Sequence, residues 1–197
     1  MISGRLLPLH GDNQGTTAVE FALIAPVMIM SMMGLFDLGF NMYTASLLEG
    51  AIQKAARDST IEGAAGETST LDAKVTTMVR NLAPQSSLVF KRTAYASFSD
   101  VGKPEDFTDI NEDGACNDGE PYEDANGNQA WDADQGKTGL GGARDAVLYE
   151  VTVTYPRPFP VASVFGMKSD YILTSRTVLR NQPYDNDQKT VAVRNCE

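Results

Sequence analysis

The chain has 197 residues, a length that suits one membrane helix and one modest soluble domain. Its formal net charge is −10, and this charge is unevenly distributed. Residues 100–134 contain twelve acidic residues and one lysine, so the remainder of the chain sums to +1. Because nucleic-acid binding needs a basic patch, this distribution excludes nucleic acid as an expected partner.

The residues for common catalytic sets are missing after the first ten positions. His10 is the only histidine, which removes the commonest general base and zinc ligand from the rest of the chain. The abundant carboxylates lie in one polar segment, whereas a catalytic pair needs an apolar cleft that raises a pKa. We therefore expect neither enzyme activity nor a small-molecule substrate.

The first long apolar run follows a polar stretch at the N-terminus. Residues from Ala18 to Phe36 are almost wholly apolar, and Glu20 is the one ionisable residue among them. As a helix, this run is about 30 Å long, which matches the hydrocarbon core of a bilayer. We predict a membrane-spanning helix over residues 16–40, with an amphipathic continuation to about residue 58.

A small residue precedes this apolar run, whereas a secretory signal is cleaved after its apolar region. Gly15 is followed at the fifth and sixth positions by Glu20 and Phe21, in the sequence GTTAVEF. This arrangement resembles a type IV prepilin processing site. The stretches AVEFALIAPVMIM and AIQKAARD are similar to the TadE-like family, the minor pseudopilins of tight-adherence pili.

The resemblance implies a leader, residues 1–15, that a prepilin peptidase removes by cutting between Gly15 and Thr16. It also implies a single-pass protein of the bacterial inner membrane, in contact with lipid, whose domain 41–197 is periplasmic or extracellular. Its partners would be other pilin subunits, bound through the N-terminal helix. Glu20 would pair with the N-terminal ammonium of Thr16, since a carboxylate in lipid needs a partner. A plain anchor is the alternative.

The rest of the chain predicts an α+β domain. Residues 71–82 have helical spacing, and residues 88–98, 146–155 and 171–179 have the pattern of strands. The C-terminal tail is expected either to add a short strand over 191–193 or to be loose. Helices followed by successive strands favour a small antiparallel sheet packed on one or two helices, which is also the pilin-like plan.

The acidic insert, residues 100–144, contains a complete calcium-loop pattern. Residues 109–120, DINEDGACNDGE, fit D-x-[DN]-x-[DN]-G-x5-E at every defined position. Calcium takes about six to eight oxygen ligands at flexible angles, and this spacing curls one loop around one ion. The predicted ligands are Asp109, Asn111, Asp113, the Ala115 carbonyl, Asn117 and Glu120.

A second, partial copy begins at position 124 with the sequence DANGNQAWDADQ. Gln129 replaces the turn glycine and Gln135 replaces the final glutamate, so a second ion would be held less well. Only three residues separate the loops, which leaves no room for the helix of an EF-hand. We predict calcium, one or two ions, against the alternative of a solvated acidic loop. The predicted second set is Asp124, Asn126, Asn128, the Ala130 carbonyl, Asp132 and Asp134.

The two cysteines, Cys116 and Cys196, could pair in an oxidising compartment or remain free thiols. Their spacing fits no zinc site and no redox motif. The leading functional prediction is a minor pseudopilin that builds or assembles a tight-adherence pilus. The alternative is a membrane-anchored, calcium-binding surface adhesin or sensor without a pilus role.

Overall fold

The computed structural model describes residues 14–59, 68–159, 161–181 and 191–197. The predicted leader lies almost wholly outside these residues. These residues contain the α-helices α1 (Gln14–Ser59), α2 (Thr68–Leu82) and α3 (Val161–Val164). They also contain the strands β1 (Ser87–Tyr95), β2 (Pro121–Asp124), β3 (Lys137–Thr138), β4 (Ala146–Pro156), β5 (Asp170–Arg180) and β6 (Ala192–Asn195).

The main sheet is antiparallel, with the strand order β3-β1-β4-β5. The long strands pair over their whole length, from Ser87↔Thr154 to Tyr95↔Ala146 and from Ala146↔Arg180 to Pro156↔Asp170. The predicted α+β class and antiparallel sheet are therefore present. The ends of β4 and β5 lie within one residue of the prediction, because alternating β-branched and aromatic residues mark them clearly.

The larger of two compact units consists of residues 43–156 and 170–197. Along β4 every second residue from Val147 to Tyr155 is buried, so one face of the sheet points into the core. The core also contains Leu48, Ile52 and Ala55 of α1 and Leu71, Val75 and Val79 of α2. Helical spacing of these apolar residues is what lets both helices present one buried side.

A polar contact connects α2 with the sheet. The Asp72 carboxylate accepts hydrogen bonds from the Tyr149 hydroxyl at 2.7 Å and from Arg92 at 2.5 and 3.1 Å. The Arg92 guanidinium also lies 4.5 Å from the centre of the Tyr149 ring. Burial, followed by the Asp72 hydrogen bond, raises the pKa of Tyr149 well above its ordinary value, so the hydroxyl keeps its proton.

A separate two-stranded sheet, which the sequence did not predict, pairs β2 with β6 in antiparallel register from Pro121↔Asn195 to Asp124↔Ala192. The short strand expected near residue 192 therefore exists, but it joins the acidic segment rather than the main sheet. Its partner β2 consists of residues 121–123, which separate the two predicted calcium loops, and of Asp124, which begins the second loop.

The smaller unit contains the described part of the chain up to residue 42, together with the connection between β4 and β5. In its part of α1 most side chains are exposed, including Val19, Leu23 and Leu35 at 62%, 74% and 71%. Pro26 lies inside the helix. Apolar side chains exposed on all sides of a helix are expected where lipid or other helices surround it.

Candidate functional site

In the first predicted calcium loop, residues 109–120, hydrogen bonds join the side chains at the predicted ligand positions to one another or to the backbone of the same loop. The Asp109 carboxylate accepts hydrogen bonds from the backbone N–H of Asp113 (3.2 Å) and Gly114 (2.8 Å). Asn111 and Asn117 both donate from their amide nitrogens to the Asp113 carboxylate, at 3.0 and 2.8 Å. Backbone N–H groups of the loop thus point at the Asp109 carboxylate.

The buried Glu120 carboxylate closes this loop. One oxygen accepts from the backbone N–H of Ile110 at 2.7 Å and of Asn111 at 3.3 Å, and the other from that of Asn117 at 3.4 Å. These donors are the second, third and ninth residues of the loop. Glu120 is only 2% exposed, and its carboxylate accepts hydrogen bonds from these three backbone N–H groups.

The second loop, residues 124–135, repeats this hydrogen-bond pattern. Asn126 accepts from the N–H of Asn128 and Asn128 from that of Ala130, at 2.9 and 2.8 Å, as Asn111 and Asp113 do in the first loop. Both amides also donate to the Asp132 carboxylate, at 2.7 and 2.5 Å. The two loops therefore share the bonds at their third and fifth residues, whereas the carboxylate that accepts from the amides is the fifth residue of the first loop and the ninth of the second.

Each loop has left-handed backbone at its fourth and sixth residues, and each has one glycine there. The first loop uses Glu112 (φ 61°) and Gly114 (φ 78°), and the second uses Gly127 (φ 79°) and Gln129 (φ 73°). The glycine is thus the sixth residue of the first loop and the fourth residue of the second. Gln129 adopts the turn conformation without the freedom of glycine, at a cost of roughly 1 kcal/mol.

Sequence reasoning missed Glu105, which closes the second loop. Its carboxylate accepts from the N–H of Ala125 at 2.9 Å, Asn126 at 3.4 Å and Asp132 at 3.1 Å. These are again the second, third and ninth residues, the positions that Glu120 binds in the first loop. Glu105 is 1% exposed and precedes both loops in sequence, so a pattern that reads forward from the first ligand does not include it.

The two residues expected near the end of the second loop have other partners. The Gln135 side chain donates to the Pro104 carbonyl at 3.3 Å. The Asp134 carboxylate accepts from the Tyr95 hydroxyl at 3.2 Å and the Gly136 N–H at 3.1 Å. Glu105, rather than Asp134, therefore stands where the missing final glutamate was expected.

The two loops differ in their charge balance. Hydrogen bonds, first from Asn117 and then from the Ala115 N–H, lower the pKa of Asp113, which keeps this group ionised. Burial acts to raise the pKa of Asp124, but the Arg194 hydrogen bond at 2.5 Å and two backbone N–H groups outweigh it and the pKa is lowered. Arg194 therefore balances the charge of Asp124 in the second loop.

Backbone pairing and a disulfide hold the loops in place. Thr108 and Glu123 donate across an antiparallel bridge to Pro121 and Asp106, at 2.9 and 2.8 Å. Cys116 of the first loop forms a disulfide with Cys196, with Cα atoms 5.6 Å apart, so both thiols are used.

The Trp131 ring lies edge-on to Phe107 at 5.7 Å, and its N–H donates to the Glu105 carbonyl at 2.9 Å. This contact connects the second loop with the segment that carries its closing carboxylate, Glu105. Cys116 and Trp131 occupy the same position in their loops, and the structure gives each of them a different partner.

No group of three or more His, Cys, Asp or Glu side chains in the described part of the chain converges as a metal-binding cluster. Several oxygens of the loops accept N–H bonds, and amide nitrogens of Asn111 and Asn117 face the Asp113 carboxylate. Rotation of an amide by half a turn exchanges its nitrogen for its oxygen. Such rotations are the local change that a hard, oxygen-preferring cation would require here.

The four residues of the predicted processing site lie in the first turns of α1. Gly15, Thr16, Glu20 and Phe21 are all exposed. Within the described residues, α1 is the one helix long and apolar enough to cross a membrane. Asp37, near the end of the apolar run, is buried and pairs with Arg157 at 2.7 Å.

Taken together, the N-terminal helix defines a candidate single-pass membrane protein whose distal domain is α+β. The family model described as TadE-like protein matches residues 15–57, which confirms the resemblance over this segment. The match covers the apolar run and its amphipathic continuation, and it ends before α2. Neither the curated proteins nor the solved structures contain a match to this chain.

Proposed function

We propose that this chain is a minor pseudopilin, a structural or assembly component of a tight-adherence type IV pilus. The observation that carries this proposal is the TadE-like match over residues 15–57, which includes an exposed Glu20 within an apolar helix. TadE-like proteins are structural rather than catalytic. A prepilin peptidase would cut between Gly15 and Thr16, and the domain after residue 40 would lie outside the cytoplasm.

Glu20 carries the assembly step in this proposal. An unpaired carboxylate in lipid costs roughly 2.5 kcal/mol or more, so pairing with the N-terminal ammonium of Thr16 in the same or a neighbouring subunit is favoured. Glu20→Ala makes the segment more apolar and leaves insertion intact, but it removes the charge that selects the partner.

Complementation of a strain that lacks the gene tests this role. Wild type and Glu49→Ala, an exposed position on the same helix outside the apolar run, are expected to restore surface pili. Glu20→Ala is expected to insert in the membrane and to leave the strain without pili. Normal pili in the deletion strain would refute the pilus role, and normal pili with Glu20→Ala would refute the role of the carboxylate.

We also propose that the two acidic loops bind calcium, with the first loop the stronger site. Support comes from the complete sequence pattern in residues 109–120, the shared hydrogen-bond arrangement of both loops and the buried closing carboxylates Glu120 and Glu105. The second site would use Glu105 in place of Asp134. The neutralising contact between Asp124 and Arg194 favours lower affinity there.

Thermal unfolding of the full chain in detergent, with calcium or with chelator, tests this second proposal. A ligand that binds only the folded state stabilises it by about 2.7 kcal/mol at a hundredfold excess over its dissociation constant. Asp109→Asn with Glu120→Gln is expected to remove most of the calcium-dependent shift, and Asp124→Asn to remove less. An unchanged melting temperature of the wild-type chain in millimolar calcium would refute calcium binding by both loops.

A further inference from the structure

The connection between β4 and β5, residues 157–169, lies against the end of the apolar part of α1. Both belong to the smaller compact unit. Arg157 forms an ion pair with Asp37 at 2.7 Å, and the rings of Phe159 and Phe36 lie 6.2 Å apart. Arg157 also donates to the carbonyls of Lys168 and Ser169, at 3.0 and 2.9 Å, which closes the connection at its base.

This connection exposes large apolar side chains. Val164 is 67% exposed, Phe165 66% and Met167 51%, within four consecutive residues. The neighbouring Lys168 is exposed as well. A contiguous apolar group rimmed by a cation is unusual on a surface that faces only water, and it is typical of a surface that meets another phase or partner.

The level of the connection along α1 identifies the partner. The apolar run ends at Phe36, about 30 Å of helix after its start, and this distance is the thickness of the hydrocarbon core. The contacts at Phe36 and Asp37 therefore hold the connection at the boundary between hydrocarbon and head groups. Apolar and aromatic side chains are favourable at this depth, and a lysine reaches the phosphates.

The ion pair at the base agrees with this depth. Asp37 and Arg157 are both largely shielded from solvent, with side-chain exposures of 6% and 17%, and their opposite charges balance. A carboxylate at the end of a membrane span is costly when alone, and the guanidinium supplies its partner.

We infer that this connection forms a second membrane contact, with Val164, Phe165 and Met167 inserted among phospholipids at the head-group boundary. The inference rests on α1 spanning the membrane and requires neither the pilus role nor calcium. Lipid, rather than a neighbouring protein, is the occupant because the connection contacts α1 at Phe36, an exposed side chain at the end of the apolar run.

Quenching of tryptophan by brominated phospholipids measures this contact in the full chain. Trp131 is the only native tryptophan, so Trp131→Phe with Phe165→Trp reports on the connection alone. The chain is reconstituted at a high lipid-to-protein ratio into phosphatidylcholine vesicles that carry bromine near the head group or near the chain ends. Trp131→Phe with Phe21→Trp is the control for a residue inside the span, and the wild type is the control for the acidic segment.

For an insertion of roughly 5–10 Å, we expect bromines near the head group to reduce the fluorescence of the Phe165→Trp chain about twofold. Bromines near the chain ends should act less, and Trp131 should respond to neither lipid. Quenching at position 165 no stronger than at Trp131 would overturn the inference. Quenching that disappears as protein density rises would identify a neighbouring protein as the occupant and would also overturn it.

A second tryptophan position and a flotation control complete this test. If Met167→Trp in the Trp131→Phe background is quenched like Phe165→Trp, the insertion does not depend on one substituted side chain. If the chain fails to float with the vesicles, α1 does not span the membrane, and the inference is refuted together with the span. Loss of calcium binding or of pili would leave the quenching result unchanged.

Discussion

Removal of the Glu105 carboxylate tests whether this residue organises the second loop. Three backbone N–H groups donate to it, and it is 1% exposed, so water cannot replace it. A hydrogen bond to a charged group contributes about 1.5–3 kcal/mol, and a buried donor left unpaired costs about 1–3 kcal/mol. We expect Glu105→Gln to lower the free energy of unfolding by roughly 2–3 kcal/mol, because the amide keeps the shape but loses one acceptor.

The measurement is denaturant unfolding of the full chain in detergent with chelator present, followed by the fluorescence of Trp131. This indole donates to the Glu105 carbonyl and therefore reports on the same loop. Glu123→Gln is the matched control, because Glu123 is an exposed glutamate of the adjacent strand and should change stability by less than about 0.5 kcal/mol. Equal losses in the two variants would refute the organising role of Glu105.

Three other results are expected from the same unfolding experiment. Cys116→Ser with Cys196→Ser should lower the free energy of unfolding by roughly 2–4 kcal/mol, because the disulfide closes a loop with a sequence separation of 80. Unchanged stability in this double variant would refute the stabilising role of the disulfide. Gln129→Gly should raise stability by about 1 kcal/mol by relieving the left-handed backbone, whereas Gly114→Ala should lower it; a loss with Gln129→Gly would contradict this. Asp124→Asn should lower the free energy of unfolding by about 1–2 kcal/mol at pH 7. Because the folded-state pKa of Asp124 lies below its unfolded value near 4, this loss should shrink as pH falls through the folded pKa. A loss that is independent of pH between 7 and 3 would refute the ion pair with Arg194.

The main elements could be predicted from the sequence because periodicity marks them. Alternating Val, Tyr and Thr residues identify β4, and apolar residues at helical spacing identify α2. The end of β1 was predicted three residues too late, since Phe98 continues the apolar pattern but belongs to a 3-10 turn. Local pattern was enough wherever a long element buries one face.

The second sheet and the closing residue of the second loop could not be predicted in this way. β2 has four residues and no periodic signal. A short strand near β6 was predicted, but not its pairing with β2, because the two come together from distant parts of the chain. Glu105 acts on a loop that begins nineteen residues later, whereas the calcium pattern searches forward and finds Gln135. Arg194 pairs with Asp124 only because β6 lies beside β2. The second sheet, the Glu105 contact and the Arg194–Asp124 ion pair all depend on contacts between residues that are distant in the sequence.

Processing after Gly15 is the step that separates a pseudopilin from a plain membrane anchor. The direct measurement is the N-terminal sequence of the mature chain, purified from the membranes of the cells that produce it and read by Edman degradation or mass spectrometry. We predict a mature chain that begins at Thr16 and keeps the whole apolar helix. A mature chain that begins at Met1, or at a residue after the apolar run, would contradict the assignment as a pseudopilin.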